Sequence, residues 1–199
     1  MRRRRFLVGG AATACVACAG CGGDGAESTA PSSTAPSSTA PVSAPPGFGP
    51  RVDVGSLDDV LAEIDGGNGF RYVPEARAFL VRYPAEALEA ARSAYDEETV
   101  DGMALGLLAV YQKCTHLGCR VPECTSSGRF ECPCHGAVFN GVGEYVSGPA
   151  PRGLDRFVVS VSAGRVSIDT STTLPGLDKG RVTIEPTEVG RSCLSPSDG

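Results

Sequence analysis

Two short stretches hold most of the metal-binding chemistry of this 199-residue chain. Lys113–Cys119 reads KCTHLGC, and Cys132–Ala137 reads CPCHGA. The chain has two histidines and nine cysteines. Both histidines, His116 and His135, lie in these stretches, among Cys114, Cys119, Cys132 and Cys134. Cys114-x-His116 and Cys132-x-x-His135 offer two thiolates and two imidazoles, with Cys119 and Cys134 beside them. Neighbouring cysteines of an exported protein tend to be oxidised. The pattern therefore suggests a four-ligand site with a disulfide clamp next to it. Gly118 and Gly136 permit the tight turns that ligand loops need.

Two metals fit two thiolates and two imidazoles. One is a structural zinc, held tetrahedrally. The other is a 2Fe–2S cluster in which two histidines replace two cysteines on one iron. Zinc-finger spacing pairs like with like, whereas here each loop brings one ligand of each type, which suits one loop reaching both irons. A plain disulfide scaffold with incidental histidines is a third reading. A c-type haem is excluded as a motif, because Cys132-Pro133-Cys134-His135 lacks the two-residue gap.

The elements that must position these loops are short. GSLDDVLAEI reads as a helix capped by Ser56 with Asp59 in its first turn. FRYVPEARAFLVRY has two strand-like halves broken at Pro74. PAEALEAARSAY starts on Pro84 and is rich in helix formers. MALGLLAVYQK is expected to be a strand running into the first ligand loop. RFVVSVS (156–162) and RVSID (165–169) read as a hairpin about Ala163-Gly164. The expected fold is all-β, a small antiparallel sandwich or barrel with a cluster-binding lobe and one or two short helices. Residues 51–170 would form the domain, and residues 171–199 a polar tail that wraps the surface or is loose.

The N-terminal stretch reads as an export signal over residues 1–20, with a basic start and a short apolar run. Arg3-Arg4-Arg5-Phe6-Leu7 resembles the twin-arginine pattern of proteins exported folded. Ala19-Gly20-Cys21 resembles the end of a lipobox, which would make Cys21 a lipidation site. Residues 21–50, with PSSTAPSSTAP, form a tether too polar to fold. No run of about 20 apolar residues is present. The expected location is the outer face of a bacterial cytoplasmic membrane. Loss of Arg2–Arg5 with the signal moves the net charge from −5 to −9. Nucleic acid is not an expected partner of so acidic a chain. The acidity serves solubility, or else attracts a basic redox partner.

Cys114-Thr115-His116-Leu117-Gly118-Cys119 and Cys132-Pro133-Cys134-His135-Gly136 resemble the two boxes of Rieske iron–sulfur proteins, in the subtype found in cytochrome bc-type complexes. The resemblance covers about residues 100–170, including GPAPRGL (148–154), which is similar to the proline loop over the cluster. It implies a 2Fe–2S cofactor. Cys114 and Cys132 would bind the buried iron, and His116 and His135 the outer iron. Cys119 and Cys134 would form the disulfide between the loops. Leu117, Gly136, Ala137, Phe139 and Pro149 would line the cluster. The count of cysteines outside the signal leaves Cys124 and Cys193, an even remainder that invites a second disulfide pinning the tail.

The implied function is electron transfer, with no catalysis by this chain alone. The first reading is the iron–sulfur subunit of a quinol-oxidising cytochrome bc-like complex. A membrane-bound cytochrome b and a cytochrome c-like acceptor would be its partners. A tethered carrier for another oxidoreductase, such as a molybdenum enzyme, is the alternative. A non-redox binding module is a remote third. The chain departs from the family where many members carry Ser and Tyr. Ala137 and Phe139 stand there instead, without the hydroxyls that in the family donate hydrogen bonds to the cluster sulfurs.

Overall fold

Alternating apolar residues pair into two antiparallel sheets. The structure, a computed structural model, describes residues 50–185 and 190–194; the signal, Cys21 and nearly all of the tether lie outside the described residues. In chain order the elements are β1 (Arg51–Ser56), α1 (Leu57–Gly66), β2 (Phe70–Val73), β3 (Ala78–Arg82), α2 (Leu88–Arg92), α3 (Glu97–Ala104), β4 (Leu107–Tyr111), β5 (Glu123–Cys124), β6 (Arg129–Glu131), β7 (Val138–Phe139), β8 (Tyr145–Ser147), β9 (Arg156–Ser162) and β10 (Arg165–Leu174). The large sheet runs β1-β10-β9-β4-β3-β2, and the small sheet runs β5-β6-β7-β8. The fold is thus the expected all-β one, with three short α-helices among the described residues where one or two were expected. No helix among the described residues is long and apolar enough to cross a membrane.

Strand periodicity divides the core into two. Successive side chains of a strand point to opposite faces of its sheet. Leu80 of β3 and Leu107 of β4 join Val60 and Ile64 of α1, with Phe157, Val166 and Ile168, on one face. Phe79 and Val81, with Leu108 and Val110, serve the other face, where they meet Phe130 and Phe139 of the small sheet. The rings of Phe79 and Phe130 lie 5.2 Å apart. Cys114 and Cys132 belong to this second core. The large sheet is therefore the floor on which the ligand loops stand.

Several expectations hold locally. Ser56 caps α1 and accepts a hydrogen bond from the Asp59 amide. The β2–β3 hairpin turns at Pro74, and β9 pairs with β10 about Ala163-Gly164. Three expectations are corrected. Met103 and Ala104 end helix α3, and the strand begins only at Leu107. Gly106, at φ +78, makes the break, and Gly102 lies so close to Val159 that an added Cβ would come within 3.2 Å of the Val159 Cβ. The stretch after Pro84 opens with a 3-10 turn at Ala85–Ala87, and its α-helix is only Leu88–Arg92. The strand β10 continues through Leu174, into the polar run that begins at Thr170.

Two full charges sit inside the second core. Glu144 and Arg156 are each 0% exposed. Tyr95 links them, donating to Glu144 Oε1 at 2.7 Å and accepting from Arg156 Nη2 at 2.7 Å. Arg156 also donates to the carbonyls of Leu154 and Val142, and its guanidinium carbon lies 4.4 Å from the centre of the Tyr95 ring. Burial pushes the Tyr95 phenol well above its ordinary range, so it stays a donor. Buried charges persist only when hydrogen-bonded in this way. Tyr95→Phe is expected to cost about 1–3 kcal/mol of stability, the price of leaving buried charged groups short of a partner; urea denaturation against the parent protein measures it.

Candidate metal centre

The two ligand loops have the same backbone pattern. In the first, the Cys114 amide donates to the Cys119 carbonyl at 2.8 Å, and the Gly118 amide returns to the Cys114 carbonyl at 2.9 Å. In the second, the Cys132 amide donates to the Ala137 carbonyl at 2.8 Å, and the Gly136 amide returns to the Cys132 carbonyl at 3.1 Å. Both glycines lie in the left-handed region, at φ +82 and +73, which explains why glycine recurs at the same offset from the leading cysteine. Each loop is closed at its base by the cysteine expected to bind metal. Each carries its histidine toward the tip.

The loops are fastened to one another and to a third loop. Cys119 and Cys134 form a disulfide across them. The Cys132 sulfur lies within 4.8 Å of both sulfurs of that bridge. The proline-rich loop meets the first ligand loop through Thr115 Oγ1, which donates to the Arg152 carbonyl at 2.8 Å. It meets the second at Gly148, where an added Cβ would come within 2.6 Å of the Gly136 carbonyl and 2.7 Å of the Ala137 Cα. Only glycine permits that approach. Tyr145 holds the same turn, donating to the Gly148 carbonyl at 2.8 Å.

Within this frame the four expected ligands converge. Cys114 and Cys132 are 3% and 1% exposed. They are the two free cysteines among the described residues. Burial pushes the Cys114 thiol above its ordinary value, and the neighbouring Cys132 adds to the shift. The rings of His116 and His135 lie 4.9 Å apart, edge to face. His135 is exposed and His116 partly so. Leu117, at the tip, is 70% exposed. Ala137 and Phe139 are fully buried behind the second loop, and Pro149 is exposed.

This arrangement fits an iron–sulfur cluster. Two thiols meet inside the protein and remain unoxidised, while four other cysteines are bridged. Burying two thiolates side by side is costly unless cations neutralise them. Iron does so, and the two imidazoles beyond them provide neutral ligands for the outer half.

Sequence reasoning missed the means by which the tail completes the lobe. After β10 the chain passes under the proline loop, where the Gly153 amide donates to the Leu177 carbonyl. Glu144 then accepts hydrogen bonds from the Thr183 and Ile184 amides and from the Thr183 hydroxyl. Farther on, Glu131, 2% exposed, accepts from the Cys193 amide at 2.7 Å and the Leu194 amide at 3.1 Å. It also accepts from the hydroxyls of Ser127 and Ser192. The Cys124–Cys193 disulfide closes beside it. The only signal in the sequence was an acid set between apolar neighbours, in Phe130-Glu131-Cys132 and Gly143-Glu144-Tyr145.

The site defines a class, a small β domain built to carry an iron–sulfur cluster. Residues 90–158 match the family described as "Rieske [2Fe-2S] domain". This part of the chain is similar to a Rieske domain, and the two buried cysteines and two histidines fit the 2Fe–2S cluster that the family's description names. The chain is similar to the cytochrome b6-f complex iron-sulfur subunit of Synechococcus elongatus, 42% identical over 69 residues, which cover 35% of this chain and 38% of that protein. It is similar to the chloroplastic subunit of Bigelowiella natans, 40% identical over 72 residues, covering 36% and 29%. The chain thus spans well under half the length of these curated relatives. Among solved structures it resembles the plasma membrane Rieske protein PetC3 of Synechocystis PCC 6803, with 28% identity, 59% of this chain and 97% of that chain covered, and a TM-score of 0.39.

The tail contacts generate a pH dependence. Burial raises the Glu131 carboxyl, but the hydrogen bonds from Ser127, Ser192 and the Cys193 and Leu194 amides outweigh it, and the net shift is downward. A lowered folded value means that the stabilisation is complete above the ordinary carboxylate pKa of about 4.3 and is lost as pH falls through the folded value. Glu131→Gln is expected to lower stability by about 1–3 kcal/mol at neutral pH and to flatten the acid limb of the stability–pH curve. Denaturant titrations from neutral pH to about pH 3 check both.

Proposed function

We propose that the domain carries electrons as the iron–sulfur unit of a quinol-oxidising, cytochrome bc-like complex. The observation that carries this reading is the pair of ligand loops joined by Cys119–Cys134, with two free thiols buried at their base and two histidines at the surface end. Cys114, Cys132, His116 and His135 would hold the cluster, which supplies one-electron oxidation and reduction when bound. The cysteines fix the site to the core. The histidines stand where a partner can reach them. An imidazole that binds metal through one nitrogen keeps a second nitrogen able to exchange a proton, so electron and proton uptake would be coupled, as quinol oxidation requires. A membrane-bound cytochrome b would lie on the donor side and a cytochrome c-like acceptor on the other. The leader and Cys21 would place the domain on the outer face of the membrane.

Ala137 and Phe139 favour a second reading. Neither can donate a hydroxyl hydrogen bond to the cluster sulfurs, and such bonds favour the reduced, more negative state. The potential would lie toward the low end for this subtype. That suits a low-potential quinol, or a tethered carrier serving another oxidoreductase.

His135→Ala and Cys132→Ala are expected to yield protein without the visible and electron paramagnetic signature of a His-ligated cluster; a normal spectrum from either would refute the ligand set. Ala137→Ser and Phe139→Tyr are expected to raise the potential, the double variant most. A hydrogen bond to a charged group is worth about 1.5–3 kcal/mol, so each rise is at most about 65–130 mV. Redox titration decides, and equal potentials in all forms would show that these positions do not set it.

A further inference from the structure

The chain is acidic overall, yet the flank of its first ligand loop is not. A hollow of about 250 Å3 beside that loop is lined by Arg77, Tyr111, Gln112, Lys113, Gly118 and Arg120. Three of the six are cations and none is a carboxylate. A larger hollow continues from it past Tyr111, Lys113 and Gly118 to His116 and Leu117. The basic surface therefore runs up to the exposed histidine face. In the larger hollow the remaining charges, Arg152 and Asp155, neutralise one another as an ion pair.

Each cation is held in place against an unfavourable alternative. Lys113 and Arg120 are direct cross-strand partners at the neck of the ligand loop, a position where like charges repel. Arg120 meets neutral partners, donating to Gln112 Oε1 at 3.1 Å and lying 5.2 Å from the centre of the Tyr72 ring. Among the described residues no carboxylate pairs with Lys113 or Arg120. The Lys113 stem crosses the loop, with its Cε 3.2 Å from where a Cβ on Gly118 would stand. Arg77 takes the left-handed conformation, φ +50, at the end of the β2–β3 turn. Glycine is the usual occupant of such a position, and strain retained at a surface residue points to a use for its side chain. The Arg77 carbonyl accepts from the Gln112 amide at 3.1 Å and so fixes the turn against the same neck. The nearest acids in sequence, Glu75 and Glu123, do not line the hollow.

We propose that Arg77, Lys113 and Arg120 form a docking face for a redox protein with an acidic surface, which they guide onto the histidine end of the site. This rests on the electron-carrier reading and names the partner's chemistry for that same site. It also differs from the alternative reading of the net charge, in which the acidity attracts a basic redox partner. A cleft of one sign raises the encounter rate of an oppositely charged protein even when the rest of the molecule repels it.

The test uses the full chain with its cluster and two c-type cytochromes as probes, one of acidic and one of basic surface. Reduced protein is mixed with each oxidised cytochrome in stopped flow, and binding is followed separately by calorimetry, which needs no cluster. The expected result is faster oxidation by the acidic cytochrome. That rate should fall several-fold as ionic strength rises from roughly 0.01 to 0.1 M and the Debye length contracts from about 30 to about 10 Å. Lys113→Glu with Arg120→Glu should remove the advantage and favour the basic cytochrome, with the cluster spectrum unchanged. The milder Lys113→Gln with Arg120→Gln should give an intermediate rate. A preference for the basic cytochrome in the parent protein, unaltered by these variants, would overturn the proposal. Phosphate that binds the hollow tightly and blocks both cytochromes alike would also overturn it, in favour of a small-anion site. Protein without a cluster would count against the electron-carrier reading, while the calorimetric preference would still decide this one.

Discussion

The structure depends on keeping two uncommitted thiols side by side inside an apolar core. Cys114 and Cys132 lie on loops, and loops resist burial because their backbone groups need partners. The solution is repeated in both: the amide of the buried cysteine closes its own loop onto a carbonyl five positions on, and a left-handed glycine turns back to the cysteine carbonyl. Each metal-binding cysteine is thereby also the base of its loop. The Cα that carries each sulfur cannot shift without opening the backbone ring that holds it.

The surrounding parts serve that constraint in order of distance. The disulfide between the loops, the Gly148 contact and the Thr115 hydroxyl join three segments into one lobe. The aromatic contact between Phe79 and Phe130 ties the lobe to the large sheet. Glu144, Tyr95 and Arg156 place a hydrogen-bonded charge network beneath it, in which only Arg156 Nε is left without a partner among the described residues. Buried charges add little net stability compared with apolar packing. Their value here is geometric, because Glu144 also takes the amides of Thr183 and Ile184 and so settles where the chain passes.

Much of this was legible in the residues. Cys-x-His and Cys-x-x-His in separate loops, with a spare cysteine in each, is a pattern with few chemical solutions. The hairpins at Pro74 and Ala163-Gly164 carry local turn chemistry, and Ser56 carries its own cap. The errors have physical reasons. Met103 and Ala104 look strand-like because apolar residues follow, yet they finish a helix that packs on β9, and a break at Gly106 is a weak local signal. The run from Thr170 looks like loose polar tail because its partners, Pro50 and Arg156, are remote in sequence. Glu131 and Glu144 drew no expectation, because nothing local reveals that distant amides complete them. Local chemistry is written locally, whereas the contacts of the tail exist only after folding.

The Cys124–Cys193 bridge carries a consequence for biogenesis. It spans 69 positions and closes on β5, the neighbour of the strand that leads into the second ligand loop. A ribosome-bound chain that has exposed both ligand loops still lacks the segment that accompanies Glu131. The lobe can reach its final form only after synthesis has passed Cys193. A site stiffened by this bridge thus exists only once Cys193 has been made, and any machinery that loads iron earlier would meet the loops while they are still open.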